Sequence, residues 1–469
     1  MRRMAKTKVV ATLGPASRDP EVLAGMIEAG VSVVRINCSH GTRNDHVADV
    51  ALVRTVAGSL GRNVAVLADL QGPKIRVGTV DPAGVVLSGT AVLRGGVETS
   101  SDDAVPVSYV RFADDVRPGT CVLLDDGRIE LRVRSVVGHD VLCDVVRGGL
   151  LTSRKGINLP GVDVTAQSPT LKDLEDAIAL VGAGIDYLAM SFVRCADDVE
   201  RLRAAVQGIG HDVPIVAKLE RPESVDRLDE ILAVSDAVMV ARGDLGVEVG
   251  PERVPVLQKS MIAAANAHAL PVITATEMLE SMIAAQRPTR AEASDVANAV
   301  FDGTSAVMLS AETAIGTDPV NVVRWMTRIC EQAEGAPRFA EPPPPVRGSI
   351  TPARAVAHAV VQTVNDLGAV AVVVHTQTGS SSRLVASFNP GVPVLALSPA
   401  EETLRLVALH RGVRGALVDR ADDSVTLTAQ ANEEVLRAGL ARPGDCVVVV
   451  AGAPGHVGGT NRLLVHQVT

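Results

Sequence analysis

Lys218, Glu220, Arg242 and Asp244 fall in one segment, 215–250, that reads as an apolar strand, an amphipathic helix and a second apolar strand, each strand ending in charge. Residues two apart on a strand share a face, so Lys218 and Glu220 are predicted to point together at the first tip, and Arg242 and Asp244 at the second. Parallel neighbours would then bring an ammonium and two carboxylates into one cleft. Hard divalent cations take oxygen ligands and lysine supplies a compact positive charge, so this set suits a metal that holds a phosphate or an enolate. Taken alone, the same residues also fit salt bridges on a strand rim. What positions them decides between the two.

The positioning elements are legible as short apolar runs separated by helical patterns: VVATLG, VSVVRIN, VAVLADL, IDYLAMSF, VPIVAKLE, AVMVARGD, LPVITATEM and AVMLSAET. Eight such runs predict an α/β fold, a (β/α)8 TIM barrel, whose sites lie at the C-terminal strand ends. Those ends collect Arg35, Asn37, Asp69, Ser191, Lys218, Glu220, Arg242, Asp244, Thr274, Thr276, Ser310 and Glu312 at one rim. The barrel is interrupted after its third strand. Residues 77–161 lack helical periodicity and are rich in Val, Gly and Asp, which predicts an inserted all-β domain, hung over the rim as a lid or a mere decoration. The barrel domain therefore comprises 1–76 and 162–341. A Pro-rich run, EPPPP at 341–345, reads as a stiff linker, and 346–469 as a separate C-terminal α/β domain with strands AVVVHT, VPVLALS, VRGALV and CVVVVAG.

Composition agrees with this architecture and excludes others. Hydrophobic residues are 47% of the chain and aromatics 2%, so the core must be aliphatic, as in helix-covered parallel sheets. The net charge of −9, without a basic run, argues against binding nucleic acid. Six dispersed cysteines without a CxxC pair fit reduced thiols rather than a disulfide or zinc framework. No signal peptide and no apolar stretch of membrane-spanning length is visible, so a cytoplasmic protein is expected.

The segments RINCSHG (35–41), LADLQGPKIRVG (67–78), KGINLPG (155–161), AKLERPE (217–223), ARGDLGVE (241–248), TATEMLESM (274–282) and RPTRAEASDVANAVFDGTSAVMLSAETA (287–314) resemble, in order, the motifs of the pyruvate kinases. The resemblance covers nearly the whole chain and implies allosterically regulated phosphoryl transfer from phosphoenolpyruvate to ADP, giving pyruvate and ATP in glycolysis. It implies that Glu220 and Asp244 ligate Mg2+ or Mn2+, and that Lys218 and Arg35 stabilise the phosphoryl group. By the same resemblance the amides around Gly243 and Asp244 receive the substrate carboxylate, and Thr276 lies near the enolate carbon. The proton donor stays open among Thr276, Ser310 and a relayed water. Asn37, His40, Arg76 and Lys155 match the nucleotide positions, although His40 alone would read as a structural histidine.

Two departures from the family pattern carry expectations. The potassium-binding positions are here Asn37, Ser39, Asp69 and the Leu70 carbonyl, but Lys74 stands where potassium-dependent members have glutamate. An ammonium could replace the ion, so potassium is expected not to be required. Glu277 replaces the usual glutamine beside Thr276, with an effect on affinity of unassigned sign. In the last domain a Gly- and hydroxyl-rich loop of Thr376, Thr378, Gly379, Ser380, Ser381 and Ser382 suits a phosphate, or is an ordinary capped turn. It matches the family's effector loop, and GAPGHVGGTN at 452–461 lacks the tryptophan or arginine that commonly serves fructose 1,6-bisphosphate, so a sugar monophosphate or AMP is the expected activator. The family implies a homotetramer. Competing readings are a lyase or aldolase using a metal-bound enolate without nucleotide, and an inactive phosphometabolite sensor. The nucleotide motifs oppose the first, and the complete set Arg35, Lys218, Glu220, Asp244 and Thr276 opposes the second.

Overall fold

The computed structural model describes residues 5–99, 102–336, 351–421, 423–452 and 459–469. The Pro-rich run at 341–345 and most of the 452–461 loop lie outside these residues.

Strands Lys8–Thr12, Val31–Asn37, Ala65–Asp69, Tyr187–Met190, Ile215–Leu219, Ala237–Ala241, Val272–Ala275 and Ala306–Leu309 close into one barrel. Neighbours are parallel throughout, and the first strand meets the last with Val9 opposite Val307. All eight runs read from the sequence are therefore barrel strands. They are buried on both faces, against helices outside and against Val10, Val33, Leu67, Tyr187, Met239 and Ile273 inside, which is why each reads as a continuous apolar run rather than an alternating one. Three of the enclosing helices start with capping boxes, at Thr42 with Asp45, Thr170 with Asp173 and Thr289 with Glu292. Each hydroxyl satisfies an amide that the helix start would leave unpaired, worth about 1 kcal/mol, and so fixes where the helix leaves its loop.

The interval between Ala237 and the preceding strand differs from the sequence expectation. Instead of one amphipathic helix it holds two short ones, Pro222–Asp226 and Leu228–Val234, broken at Arg227.

The insertion is built of a six-stranded sheet in the order Ile157–Asn158, Cys121–Leu124, Ile129–Val137, Asp140–Arg147, Thr90–Gly95, Val105–Val107, with a two-stranded sheet of Val85–Leu87 and Gly149–Leu151. Its own core includes Leu93, Phe112, Leu124 and Leu131, and one helical turn, Phe112–Asp115, interrupts the β pattern.

The C-terminal sheet runs Val413–Leu417, Val394–Ser398, Ala371–His375, Cys446–Gly452, Thr460–Gln467. The sequence reading named four of these strands. The fifth is an antiparallel edge, and it was not legible because only one of its faces is covered and its residues lack the apolar run of its neighbours. This domain packs under the barrel's N-terminal end. Ala408 and Leu409, in the 3-10 turn Val407–Leu409, join the core inside the barrel, and the Tyr187 hydroxyl donates to the Leu406 carbonyl at 2.7 Å. Full burial of a leucine side chain contributes roughly 1.5–3 kcal/mol, so this contact ties the two domains firmly. No helix among the described residues is long and apolar enough to cross a membrane.

Candidate active site

At the barrel's C-terminal rim, Arg35, Asp69, Lys218 and Glu220 form one buried network. Arg35 Nε donates to Asp69 Oδ2 at 2.7 Å and Arg35 Nη1 to Thr12 Oγ1 at 3.0 Å. Lys218 Nζ lies 3.0 Å from Asp69 Oδ1 and 2.8 Å from Glu220 Oε1, and donates to Ser191 Oγ at 2.7 Å. Ser191 Oγ in turn donates to the Leu70 carbonyl at 2.7 Å. Strand period places Lys218 and Glu220 on one side of the Ile215–Leu219 strand, as the sequence predicted. Asp69, read only as a monovalent-ion position, bridges the two cations. Thr12 and Ser191, which received no role from the sequence, hold the Arg35 and Lys218 side chains. The strand-end reading reached Ser191 at the rim but not Thr12, whose hydroxyl carries no motif and is revealed only by the barrel register.

Charge in this network follows its geometry. Burial would raise the Asp69 carboxyl, but Lys218 and Arg35 outweigh it and hold it below the usual carboxylate range. Burial would lower the Lys218 ammonium, and the carboxylates of Asp69 and Glu220 more than offset it, so the lysine stays charged. Glu220 is pushed up, by burial first and then by the like charge of Asp244, against the pull of Lys218. Asp244 is thus near enough to repel Glu220, as two ligands of one cation would before the cation binds.

The second strand tip departs from expectation. Ala237–Ala241 ends at Ala241, and Arg242 and Asp244 belong to the helix Arg242–Val249, where the two-residue period no longer holds. They diverge. Arg242 turns back to donate to the carbonyls of Ala275 at 3.2 Å and Thr276 at 2.7 Å and pairs with Asp295 at 2.7 Å, while Asp244 Oδ1 meets Lys74 Nζ at 3.1 Å. The Gly243 amide, expected to face a substrate carboxylate, donates to Thr276 Oγ1 at 2.7 Å.

Thr276 and Glu277 both have left-handed backbones, with φ of 70° and 53°. That region is costly for a β-branched residue, and Thr276 is held there by Arg242 on its carbonyl and by its own hydroxyl, which bridges the Gly243 amide and the Ala275 carbonyl. Ser310, at the next strand end, has a buried hydroxyl oxygen without a hydrogen bond.

The residues fit a divalent cation. Glu220 Oε1 and Asp69 Oδ1 are buried and make no well-directed hydrogen bond despite the nearby ammonium. Among the described residues no three carboxylate, imidazole or thiol groups converge as a closed cage. Glu220, with Asp244 close enough to repel it, is an open arrangement rather than a closed cage, and such an arrangement suits an ion that takes its other ligands from substrate and water.

Beside this lies a positive corner. His40 is pushed down by burial first, then by Arg76, Arg35 and Lys74, so all four gather where an anion would be met. Asn37 Oδ1 accepts the Ser39 amide at 3.2 Å. Arg76 Nη1 donates to the Arg154 carbonyl at 3.1 Å, and Lys155 pairs with Asp125 at 2.7 Å, so these two residues are fixed on the lid side. Lys74 stands with Asp244 rather than with the oxygens of Asn37, Ser39, Asp69 or Leu70.

The hydroxyl-rich loop of the C-terminal domain is tightly knit. Gly379, at φ 81°, donates its amide to Thr376 Oγ1 at 3.0 Å, and Thr378 and Ser380 hydroxyls are 3.0 Å apart. Ser381 meets Thr460 at 2.5 Å, and Ser382 Oγ donates to the Gly379 carbonyl at 2.8 Å. His410, pushed down to about 3 by burial and then by Arg383 and Lys8, lies neutral beside Ser382 at 3.5 Å.

Comparison with known proteins agrees with this geometry. A family model described as "Pyruvate kinase, barrel domain" matches residues 4–323, and one described as "Pyruvate kinase, alpha/beta domain" matches 354–466. The chain is similar to "Pyruvate kinase" of Mycobacterium tuberculosis, 42% identical with 98% of each chain covered. It is similar to "Pyruvate kinase" of Corynebacterium glutamicum, 43% identical over 98% of this chain and 97% of the relative. "Pyruvate kinase 2" of Synechocystis is 42% identical over 99% of this chain and 79% of its own. A buried pair of cations held by carboxylates at a barrel rim, in a chain that matches both domain models, makes this protein a phosphotransferase: it belongs to the pyruvate kinase family.

Proposed function

We propose that this chain transfers the phosphoryl group of phosphoenolpyruvate to ADP, giving pyruvate and ATP. The observation that carries this reading is the buried network in which Asp69 and Glu220 hold the charged ends of Arg35 and Lys218 at the rim. Phosphoryl transfer needs fixed positive charge more than covalent help, and charges already paired and desolvated need no reorganisation when the phosphoryl group moves between oxygens. Glu220 and Asp244 would hold Mg2+ or Mn2+, which when bound neutralises developing charge on substrate oxygens. Lys218 and Arg35 stabilise the phosphoryl group itself. The substrate carboxylate exchanges with Thr276 Oγ1 for the Gly243 amide at the helix start, and the freed hydroxyl then faces the enolate. Thr276, Ser310 and a water remain the proton sources this reading allows. The nucleotide lies between rim and lid (77–161), against Asn37, His40, Arg76 and Lys155.

A lactate dehydrogenase-coupled assay of pyruvate formation, with and without ADP, tests the reading. ADP-dependent pyruvate is expected, and its absence with metal and both substrates present overturns it. Turnover is expected to persist when every activating monovalent cation is replaced by a bulky organic one, and Lys74→Glu is expected to create a potassium requirement. The Thr376–Ser382 loop is proposed to bind the phosphate of a sugar monophosphate or AMP. A substrate saturation curve left unchanged by saturating ribose 5-phosphate, glucose 6-phosphate and AMP removes that part. The assembly is proposed to be a homotetramer acting in the cytoplasm.

A further inference from the structure

The helix Arg242–Val249 carries a second carboxylate that the proposed chemistry leaves unused. Asp244 and Glu248 are four residues apart and so share one helix face. Each ties down a different leg of the lid. Asp244 takes Lys74, on the leg leaving the barrel. Glu248 Oε1 accepts from Asn158 Nδ2 at 3.1 Å, on the returning leg, and from Arg221 Nη1 at 3.0 Å. Arg221 Nη2 also donates to the Val162 carbonyl at 3.1 Å, reinforcing the returning leg.

The two ties differ in kind. Lys74 and Asp244 side chains are 24% and 27% exposed, and Asp244 is also a candidate metal ligand, so that contact is screened and has a competitor. Glu248 is 1% exposed along its side chain, its Oε2 is buried without a hydrogen bond, and burial followed by nearby carboxylates pushes the group up against the pull of Arg221 and Asn158. A buried acceptor of two donors is costly to undo, because breaking it strands polar groups away from water. The returning leg is therefore the fixed point and the outgoing leg the releasable one.

We propose that Glu248 is a positioning residue for phosphoryl transfer: through Asn158 it pins the lid to the helix bearing Gly243 and Asp244, and so sets how the lid-held nucleotide meets the rim-held substrate. This rests on the reading of the rim as the phosphoenolpyruvate and ADP site. A purely structural Glu248 would serve only to neutralise buried Arg221, and Asn158→Ala separates the two roles because it leaves the Arg221 pair intact.

The test compares Asn158→Ala, Glu248→Gln and Glu248→Ala in the full chain. Asn158→Ala is expected to raise KM for ADP roughly tenfold, the weight of one charge-assisted hydrogen bond, and to leave KM for phosphoenolpyruvate within about twofold. Amide hydrogen exchange, read without substrate, is expected to quicken across 74–77 and 157–159. Glu248→Gln keeps the accepting oxygen and is expected to leave ADP binding nearly normal, whereas Glu248→Ala follows Asn158→Ala. Should Glu248→Ala fail to fold, Asn158→Ala and Glu248→Gln decide alone. Unchanged exchange in both legs of Asn158→Ala, or equal rises in both KM values, overturns the proposal. If the unmodified chain makes no ADP-dependent pyruvate, the functional reading falls, while the exchange measurement still decides whether this contact holds the lid.

Discussion

Thr276 concentrates several demands on one side chain. A left-handed backbone at a β-branched residue costs of order 1–2 kcal/mol, and here it brings the hydroxyl onto the amide at the start of the neighbouring helix. Thr276→Val keeps shape and strain but removes the hydroxyl. It is expected to lower kcat about a hundredfold or more if that hydroxyl relays the proton, with Thr276→Ser within a few fold of the parent, as steady-state kinetics would read. Lys218→Met is more severe. It removes the charge proposed to stabilise the phosphoryl group and leaves Asp69 and Glu220 buried without their ammonium, so kcat should fall about a thousandfold and denaturant unfolding should show a loss of roughly 3–5 kcal/mol. Much at this scale was readable in advance: a two-residue period put Lys218 and Glu220 together. The same rule failed at Arg242 and Asp244 because a strand gave way to a helix one residue too early for it, and charge pattern alone does not mark that change.

Between elements, Arg242 acts as a clamp. Its guanidinium spans from its own helix to the carbonyls of Ala275 and Thr276 and to Asp295, so one planar group fixes the loop after the Val272–Ala275 strand against the helix that follows the Ala237–Ala241 strand. Lysine cannot reproduce that fork. Arg242→Lys is expected to cost about 1–3 kcal/mol in unfolding free energy and to lower kcat in the same direction as Thr276→Val, since the strained loop loses its support. The barrel strands were legible because each is a short aliphatic run with turn residues at both ends. The antiparallel edge Thr460–Gln467 was not, since an edge strand with one wet face has no such signature, and the break at Arg227 was hidden inside a pattern that is helical on both sides.

Across the whole molecule, the N-terminal segment stitches barrel to C-terminal domain. The amides of Lys6 and Thr7 donate to Glu334 at 2.8 and 2.6 Å, the Gly412 amide donates to the Lys6 carbonyl at 2.8 Å, and Lys8 Nζ donates to the Val413 carbonyl at 2.6 Å. Burial, with Arg414 adding and Glu334 opposing, pulls the Lys8 ammonium from 10.5 down to about 8. The folded chain then releases this proton before the unfolded chain does. Stability carried by Lys8 is complete above pH 10.5 and is lost as pH falls toward 8, a total of about 3 kcal/mol. Lys8→Met should abolish that slope, and denaturant titrations of both proteins between pH 8 and pH 10.5 would read the difference. The division into barrel, insertion and last domain was foreseeable from shifts in periodicity. Their seam was not, because Lys6, Lys8 and Glu334 are far apart in the chain and each looks like an ordinary surface charge.

Ala408 and Leu409 work as a cork in the bottom of the barrel. Pulling the last domain away would uncork an aliphatic interior to water, so the pair is compelled to travel as a single rigid piece. Under the proposed role of the hydroxyl-rich loop, a bound phosphate would therefore be expected to act by tilting that piece as a whole rather than by parting its two halves.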